Sequence, residues 1–220
     1  MSKPFRWSYS ALKDFERCPR LYHWRRIQRI PEISPSPALE RGNLLHQKIE
    51  DYLMGKCDLD KMFDRFKDYI DELKSKPGLE VEQLWALDRD WRSTSKDLAW
   101  LWIKMDAYHP IGKTRARVVD WKSGGIYGEN AEQVRMYAIG AMSKSPKIKE
   151  VEVELCYLDQ KQLHSETIKR REVAIHVSDF NKRAAAIEAE TKFRPQTGKH
   201  CNWCAYSKAK GGECEASAGI

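Results

Sequence analysis

The sequence predicts a mixed α/β fold with a helical N-terminal region and a cysteine-bearing tail. Three observations predict it. Apolar residues recur at helical spacing through the first third of the chain. The period changes near Glu80, and three strand-like segments run on to Lys122. A helix, two further strands, a last helix and an irregular tail then follow. A three-strand meander followed by a helix and another strand makes a central sheet of mixed direction, flanked by helices. The 220 residues suit a single domain. We divide it into a helical part (8–75), an α/β core (79–192) and a tail (195–214) that returns to Cys18.

Each element has a local cause. Ser8 to Phe15 reads as a capped helix start, with Ser10 as N-cap. Cys18-Pro19 interrupts or restarts that helix, and Leu21, Tyr22, Trp24 and Ile27 give the next stretch an apolar face. Pro31 to Pro37 is a connector. Leu39 to Met54 is an amphipathic helix with Leu45, Ile49, Tyr52 and Leu53 on one side. Gly42, His46 and Glu50 recur every four residues along another face. A second helix runs from about Leu59 to Leu73, and Pro77-Gly78 ends it.

The strands follow. Glu80 to Leu87 alternates, with Val81, Gln83, Trp85 and Leu87 on one face. Leu98 to Tyr108 and Thr114 to Lys122 are joined by a hairpin connection at His109–Lys113. Glu129 to Ser143 is a helix. Glu150 to Leu158 and Leu163 to Val173 are strands around a turn at Asp159-Gln160. The last helix opens at Val177, with Ser178 as N-cap, and ends near Lys192.

Composition narrows the function classes. Apolar residues make up 41% and charged residues 32%, the balance of an ordinary globular protein. There is no apolar run of about 18 residues, so no membrane span is expected. The opening MSKPFRWSYSALKDF lacks the apolar core of a secretion signal, so a cytoplasmic protein is expected. A net charge of +7 permits a polyanionic partner. Basic residues cluster at Arg17, Arg20, Arg25, Arg26 and Arg29, at Arg115 and Arg117, and at Lys169, Arg170 and Arg171.

The chemistry centres on Val118-Val119-Asp120-Trp121-Lys122-Ser123-Gly124, a strand that ends in a glycine turn. Alternate strand residues share a face, so Asp120 and Lys122 lie together. An acid beside an amine suits a divalent ion and water activation at a phosphodiester. Three other acid-x-Lys triplets compete: Glu72–Lys74, Asp159–Lys161 and Glu190–Lys192. Two of them lie on helices, where residues i and i+2 diverge, and Asp159–Lys161 lies in a turn facing solvent. Asp106 adds a second carboxylate. A hairpin around Pro110–Lys113 leaves Asp106 and Asp120 unequally far from the turn, so their opposition needs a bulge or a slipped register. Two carboxylates with a backbone carbonyl would give the hard oxygen ligands that Mg²⁺ or Mn²⁺ requires. His46 is a further candidate ligand, and Gln133 and Tyr137, four apart on the next helix, can face the same place.

The ordered set Gly42-x-x-x-His46, Asp106, Asp120-Trp121-Lys122 with Ser123-Gly124, and Gln133-x-x-x-Tyr137 resembles the RecB-type nucleases of the PD-(D/E)xK superfamily. Ser8-Tyr9-Ser10-x-Leu12 with Cys18-Pro19 resembles the start of that family's domain, so the likeness runs from about residue 8 to 214. It implies a restriction-endonuclease-like fold. It also implies metal ligation by His46, Asp106 and Asp120 with the Trp121 carbonyl, and Lys122 acting on the attacking water. Gln133 and Tyr137 would support the site, and Glu82 stands where an accessory acid could sit. Met105 precedes Asp106 where the superfamily name has Pro.

Six cysteines in a protein expected to be cytoplasmic point to metal binding or buried thiols, not a disulfide framework. Cys201-Asn202-Trp203-Cys204 and Cys214, with Cys18, supply four thiolates, enough for tetrahedral zinc or an iron–sulfur cube. In the family it resembles, one N-terminal and three C-terminal cysteines hold a 4Fe-4S cluster. Zinc is the alternative, with His200 able to replace a cysteine. Cys57 and Cys156 read as plain buried residues.

The expected activity is a metal-dependent DNA exonuclease, in end processing for recombination, repair or CRISPR-like adaptation. Such modules occur alone in phages and CRISPR loci, and the chain shows no P-loop. Eight Trp and nine Tyr favour single strands or frayed ends, and a recombination or repair protein is a candidate partner. Two other readings stay open: a non-catalytic nucleic-acid-binding protein with a structural cysteine–metal site, and a structure-specific endonuclease.

Overall fold

A computed structural model of the chain describes residues 5–32, 37–126 and 129–217. It divides into two compact units, Met1–Arg6 with Arg41–Ser178, and Trp7–Glu40 with Asp179–Ile220.

The second of these units opens with a two-residue strand, β1 (Trp7–Ser8), and helix α1 (Tyr9–Arg17). Ser8, not Ser10, is the N-cap: its backbone is extended and its hydroxyl accepts the Ala11 N–H at 3.3 Å. Cys18 is extended too, and it separates α1 from α2 (Pro19–Tyr22). Pro19 sits at the first helical position, where its missing N–H costs nothing. A wide π-turn over His23–Gln28 follows and stops at Arg29, in the left-handed region at φ 56°. Buried Asp14 anchors this bend, accepting from Arg25 and from Arg26 at 2.7 Å each. Most of the Pro31–Pro37 connector, residues 33–36, lies outside the described residues.

The other unit carries the sheet. α3 (Pro37–Leu53) contributes Leu45, Ile49 and Leu53 to an apolar cluster. The expected Leu59–Leu73 helix divides in two. Asp60 caps Met62 and tightens Lys61–Phe66 into 3₁₀ turns, and α4 (Lys67–Lys74) continues. Phe63, Phe66, Ile70 and Leu73 join α3 in covering Ala107, Val119, Trp121 and Cys156 of the sheet.

Five strands of this unit pair in the order β2 (Glu80–Leu87), β3 (Leu101–Ile111), β4 (Arg115–Lys122), β5 (Glu150–Tyr157) and β6 (Gln162–Lys169). β4 and β5 are parallel and the other pairs antiparallel, so the sheet is mixed as expected. A parallel pair needs a crossover, and α5 (Glu129–Lys144) provides it. Gly140 lets α5 sit close: a Cβ there would lie 2.8 Å from Ile103 and 3.0 Å from Trp85.

Boundaries also move: β3 spans Leu101–Ile111, not Leu98–Tyr108. α6 spans Val173–Ala189, so Ser178 is a mid-helix residue and not a cap, and β6 ends at Lys169. β2 also fails to keep one apolar face. Val81 packs into the α3–α4 cluster, whereas Trp85 packs under Gly140 of α5. Residues four apart on a regular strand share a face. The break lies between them at Glu82, whose φ is 52°.

Candidate active site

The hairpin of β3 and β4 brings the two aspartates together. His109, Pro110 and Ile111 belong to β3, and the turn is Gly112-Lys113-Thr114, with Gly112 left-handed at φ 62°. Ile111 pairs with Arg115 and Ala107 with Val119. One further step of that register puts Asp106 opposite Asp120, each seven residues from Lys113. Neither a bulge nor a slip is needed. Pro110 is tolerated because β2 pairing stops at Tyr108, leaving only β4 in register beside it within this unit.

Around this pair the predicted residues converge. Asp106 is 7% exposed and Asp120 4%. Asp106 Oδ1 lies 3.1 Å from His46 Nδ1, and Oδ2 accepts the Trp121 N–H at 2.8 Å. Lys122 Nζ lies 2.6 Å from Asp120 Oδ2 and donates to Gln133 Oε1 at 2.7 Å. Gln133 Nε2 donates to Tyr137 Oη at 2.6 Å, and Tyr137 donates to Asp120 Oδ1. The Trp121 amide supports Asp106, while its side chain lies buried against the edge of Tyr69 at 6.1 Å.

Glu82 joins from β2. Val81 opposes Ala107 and Gln83 opposes Met105, so Glu82 falls opposite Asp106. His46, Glu82 and Asp106 offer ligand atoms that all lie within 4.8 Å of one another. Among the described residues this is the group that could hold a metal ion. Glu50 stays out of it, although it follows His46 by one helical turn. Asp120 turns its carboxylate to Lys122 and Tyr137 instead.

The electrostatics match a cation site. Burial, then the charge of Asp120, holds the Asp106 carboxyl above the usual range despite His46. Burial pulls His46 down, but its hydrogen bond to Asp106 and the charges of Asp106 and Asp120 outweigh that and raise it. Asp120 Oδ2 is buried, and its partner is the Lys122 ammonium at 2.6 Å. An imidazole with hard carboxylate oxygens suits Mg²⁺ or Mn²⁺.

The superfamily model for PD-(D/E)XK nucleases matches residues 6–209. The chain belongs to the PD-(D/E)XK nuclease superfamily. PD-(D/E)XK nucleases use divalent metals, and the His46–Glu82–Asp106 group fits one. Among solved structures, a candidate exonuclease from Eubacterium rectale is similar, with a TM-score of 0.54 and 14% identity over 90% of this chain and 86% of that one. The structure of SSO0001 aligns over 94% of this chain and 86% of its own, with a TM-score of 0.49 and 14% identity. At such identities the likeness bears on the fold alone. Comparison with curated proteins gives no match.

Other residues of this PD-(D/E)XK nuclease tie its site together. Asp159 accepts both Arg41 guanidinium nitrogens, at 2.9 and 2.5 Å, and the Gly124 N–H at 2.8 Å. Local sequence predicts that Asp159 faces solvent in its turn, but the structure pairs it with Arg41 and Gly124. Its partners lie 118 and 35 residues away, which no local pattern reveals. Gly42 sits where a Cβ would lie 2.8 Å from Ser123 Oγ. Of the basic clusters, Arg117 pairs with Glu152 and Glu154, and Arg170 donates to the carbonyls of Met142, Ser145 and Ile148.

Cys18, Cys201, Cys204 and Cys214 lie in the unit that β1 opens, whereas Cys57 and Cys156 lie in the sheet unit. Cys18 Sγ accepts the Gln196 N–H at 3.3 Å and packs with Leu21, Tyr206, Trp24 and Cys204. Burial raises the Cys204 thiol, with Cys214, Cys18 and Cys201 adding to it, so the four thiols share a neighbourhood. No three of these four described sulfurs come within 4.8 Å of one another. His200 Nε2 lies 2.9 Å from the Gln196 carbonyl. Cys156 is buried as expected, but Cys57 is exposed, beyond the end of α3.

Proposed function

We propose that this PD-(D/E)XK nuclease is a divalent-metal-dependent DNA exonuclease that processes DNA ends. The observation that carries the metal dependence is the convergence of His46, Glu82 and Asp106 beside buried Asp120. Mg²⁺ or Mn²⁺ held by His46, Asp106 and Asp120, with Glu82 and the Trp121 carbonyl, would supply Lewis acidity and lower the pKa of water. The protein's own groups then do the positioning. Lys122, fixed by Asp120 and Gln133, orients the attacking water and offsets charge that develops on the phosphate. Tyr137 and Gln133 hold Asp120 and Lys122 in place.

We read the two units as parts of one nuclease domain. Cys18, Cys201, Cys204 and Cys214 hold a structural 4Fe-4S cluster in it. Four thiolates are enough for an iron–sulfur cube, with tetrahedral zinc as the alternative.

The test uses end-labelled linear and closed circular DNA, single- and double-stranded, with Mg²⁺, Mn²⁺ or EDTA. Linear DNA is expected to be shortened from an end only with metal, and Asp120→Ala and Lys122→Ala are expected to abolish cleavage while remaining folded. Cut circles would replace the exonuclease with an endonuclease. Full activity in either folded variant would overturn the site.

A further inference from the structure

Before a metal binds, the site is rich in acids and its nearest lysine is already paired. Asp106, Asp120 and Glu82 gather around His46. Lys122 is committed to Asp120 and Gln133, and its side chain is 19% exposed. A phosphodiester approaching this group carries the same sign of charge. Like charges at short range repel strongly where water is partly excluded.

One other lysine lies beside the group. Lys104, on β3 two residues before Asp106, places Nζ 2.6 Å from Glu82 Oε2. Its side chain is 65% exposed, so the ammonium stands at the edge of the site, facing water. An ammonium has three N–H donors, and this contact uses one of them. The flexible stem lets it follow a ligand without moving the strand. Glu82 itself is held at φ 52° inside a strand, a conformation that costs free energy in any residue but glycine. That backbone breaks the pleat and aims one carboxylate at both the ligand group and Lys104. The bland alternative is a solvated ion pair of little worth. It accounts for neither the strained backbone nor the place of Lys104 beside an anionic cluster that must admit an anion.

We propose that Lys104 is a substrate-binding residue, taking a non-bridging oxygen of the DNA phosphate backbone, with Glu82 holding its ammonium at the mouth of the site. The inference rests on the nuclease reading above. It predicts a contact to phosphate rather than to a base, so the contact is blind to sequence.

The experiment compares Lys104→Ala, Lys104→Arg and Lys113→Ala with the wild type. Lys113, in the β3–β4 turn, removes an equal charge roughly 20 Å along the strand from Asp106. For Lys104→Ala, KM for a single-stranded oligonucleotide is expected to rise about tenfold, with kcat retained. The salt dependence of binding, read by fluorescence anisotropy in an Asp120→Asn background, is expected to fall by about 1 in log–log slope. Lys104→Arg restores both quantities, and Lys113→Ala matches the wild type. An unchanged KM and slope in Lys104→Ala would overturn the proposal, as would equal effects from Lys113→Ala, which mean bulk charge. If the wild type cleaves no DNA, the nuclease reading fails, while the anisotropy series still decides the role of Lys104.

Discussion

Glu82 shows what single residues contribute to this site. A non-glycine residue at φ 52° is strained by about 1 kcal/mol or more, and here it lies in mid-strand. Glycine at this position would relieve the strain and lose only an ion pair whose lysine is mostly exposed. We therefore expect Glu82→Gly to unfold at or above the wild-type urea midpoint while cleaving DNA at least about tenfold more slowly, since a carboxylate aimed at the metal group is gone. Denaturation curves and cleavage rates on one preparation check this. A variant that is less stable and fully active would show that the strained backbone serves the fold and not the site. The same position explains a limit of the sequence. Val81, Gln83, Trp85 and Leu87 alternate as if on one face, yet a single left-handed residue sends Val81 and Trp85 to different helices. No residue-type signal marks Glu82 for that conformation, because glutamate has no preference for it.

At the scale of elements, the site depends on three pieces meeting: α3 with His46, the end of β4 with Lys122, and the turn between β5 and β6. Asp159 joins them, holding Arg41 of α3 and the Gly124 N–H that follows β4. Arg41 is half exposed, so solvent screens the ion pair and it contributes little to stability. The geometric effect is larger, because His46 lies little more than one helical turn from Arg41 and Lys122 two residues from Gly124. Arg41→Ala and Asp159→Ala are each expected to lower kcat several-fold with a small change in unfolding midpoint, and the double variant to be no worse than Asp159→Ala alone. Additive losses in the double variant would show that the two side chains act independently. Elements of this length were legible in the sequence: the helix–strand order, the Asp120-x-Lys122 strand and the Gln133/Tyr137 helix face all stand where the pattern put them. What was not legible was set by distant partners. Pro110 is tolerated in β3 because β2 pairing reaches no further than Tyr108, and Asp159 acquires its role from residues far away in the chain. Ser8 displaced Ser10 as cap because the backbone turns extended one residue pair earlier, a choice between two good caps that local propensity does not make.

At the scale of the whole molecule, the unit holding the cysteines is built from two stretches at opposite ends of the sequence, Trp7–Glu40 and Asp179–Ile220. After α6 its backbone is mostly irregular, with three-to-five-residue 3₁₀ turns at Lys199–Trp203, Lys208–Lys210 and Glu215–Ser217. The apolar cluster around Cys18 is small: Leu21 and Tyr206, with Trp24 and Cys204 partly buried. A tail with so little regular structure gains from a staple, and metal bound at the four thiols would supply its free energy as folding energy. Anaerobically purified protein is therefore expected to contain iron and acid-labile sulfide, to absorb visible light, and to lose both properties in Cys204→Ser. In that variant limited proteolysis should begin in the chain beyond Ala189, because the tail is no longer tied down, whereas Asp120→Asn should retain metal and resist the protease as the wild type does. Zinc with no sulfide would replace the cluster by a single ion. Wild-type protein free of iron and zinc, with a protease pattern matched by Cys204→Ser, would reduce the cysteines to ordinary packing residues and leave contacts such as Trp7–Phe180, Tyr22–Phe193 and Arg183–Glu16 to hold the two stretches together.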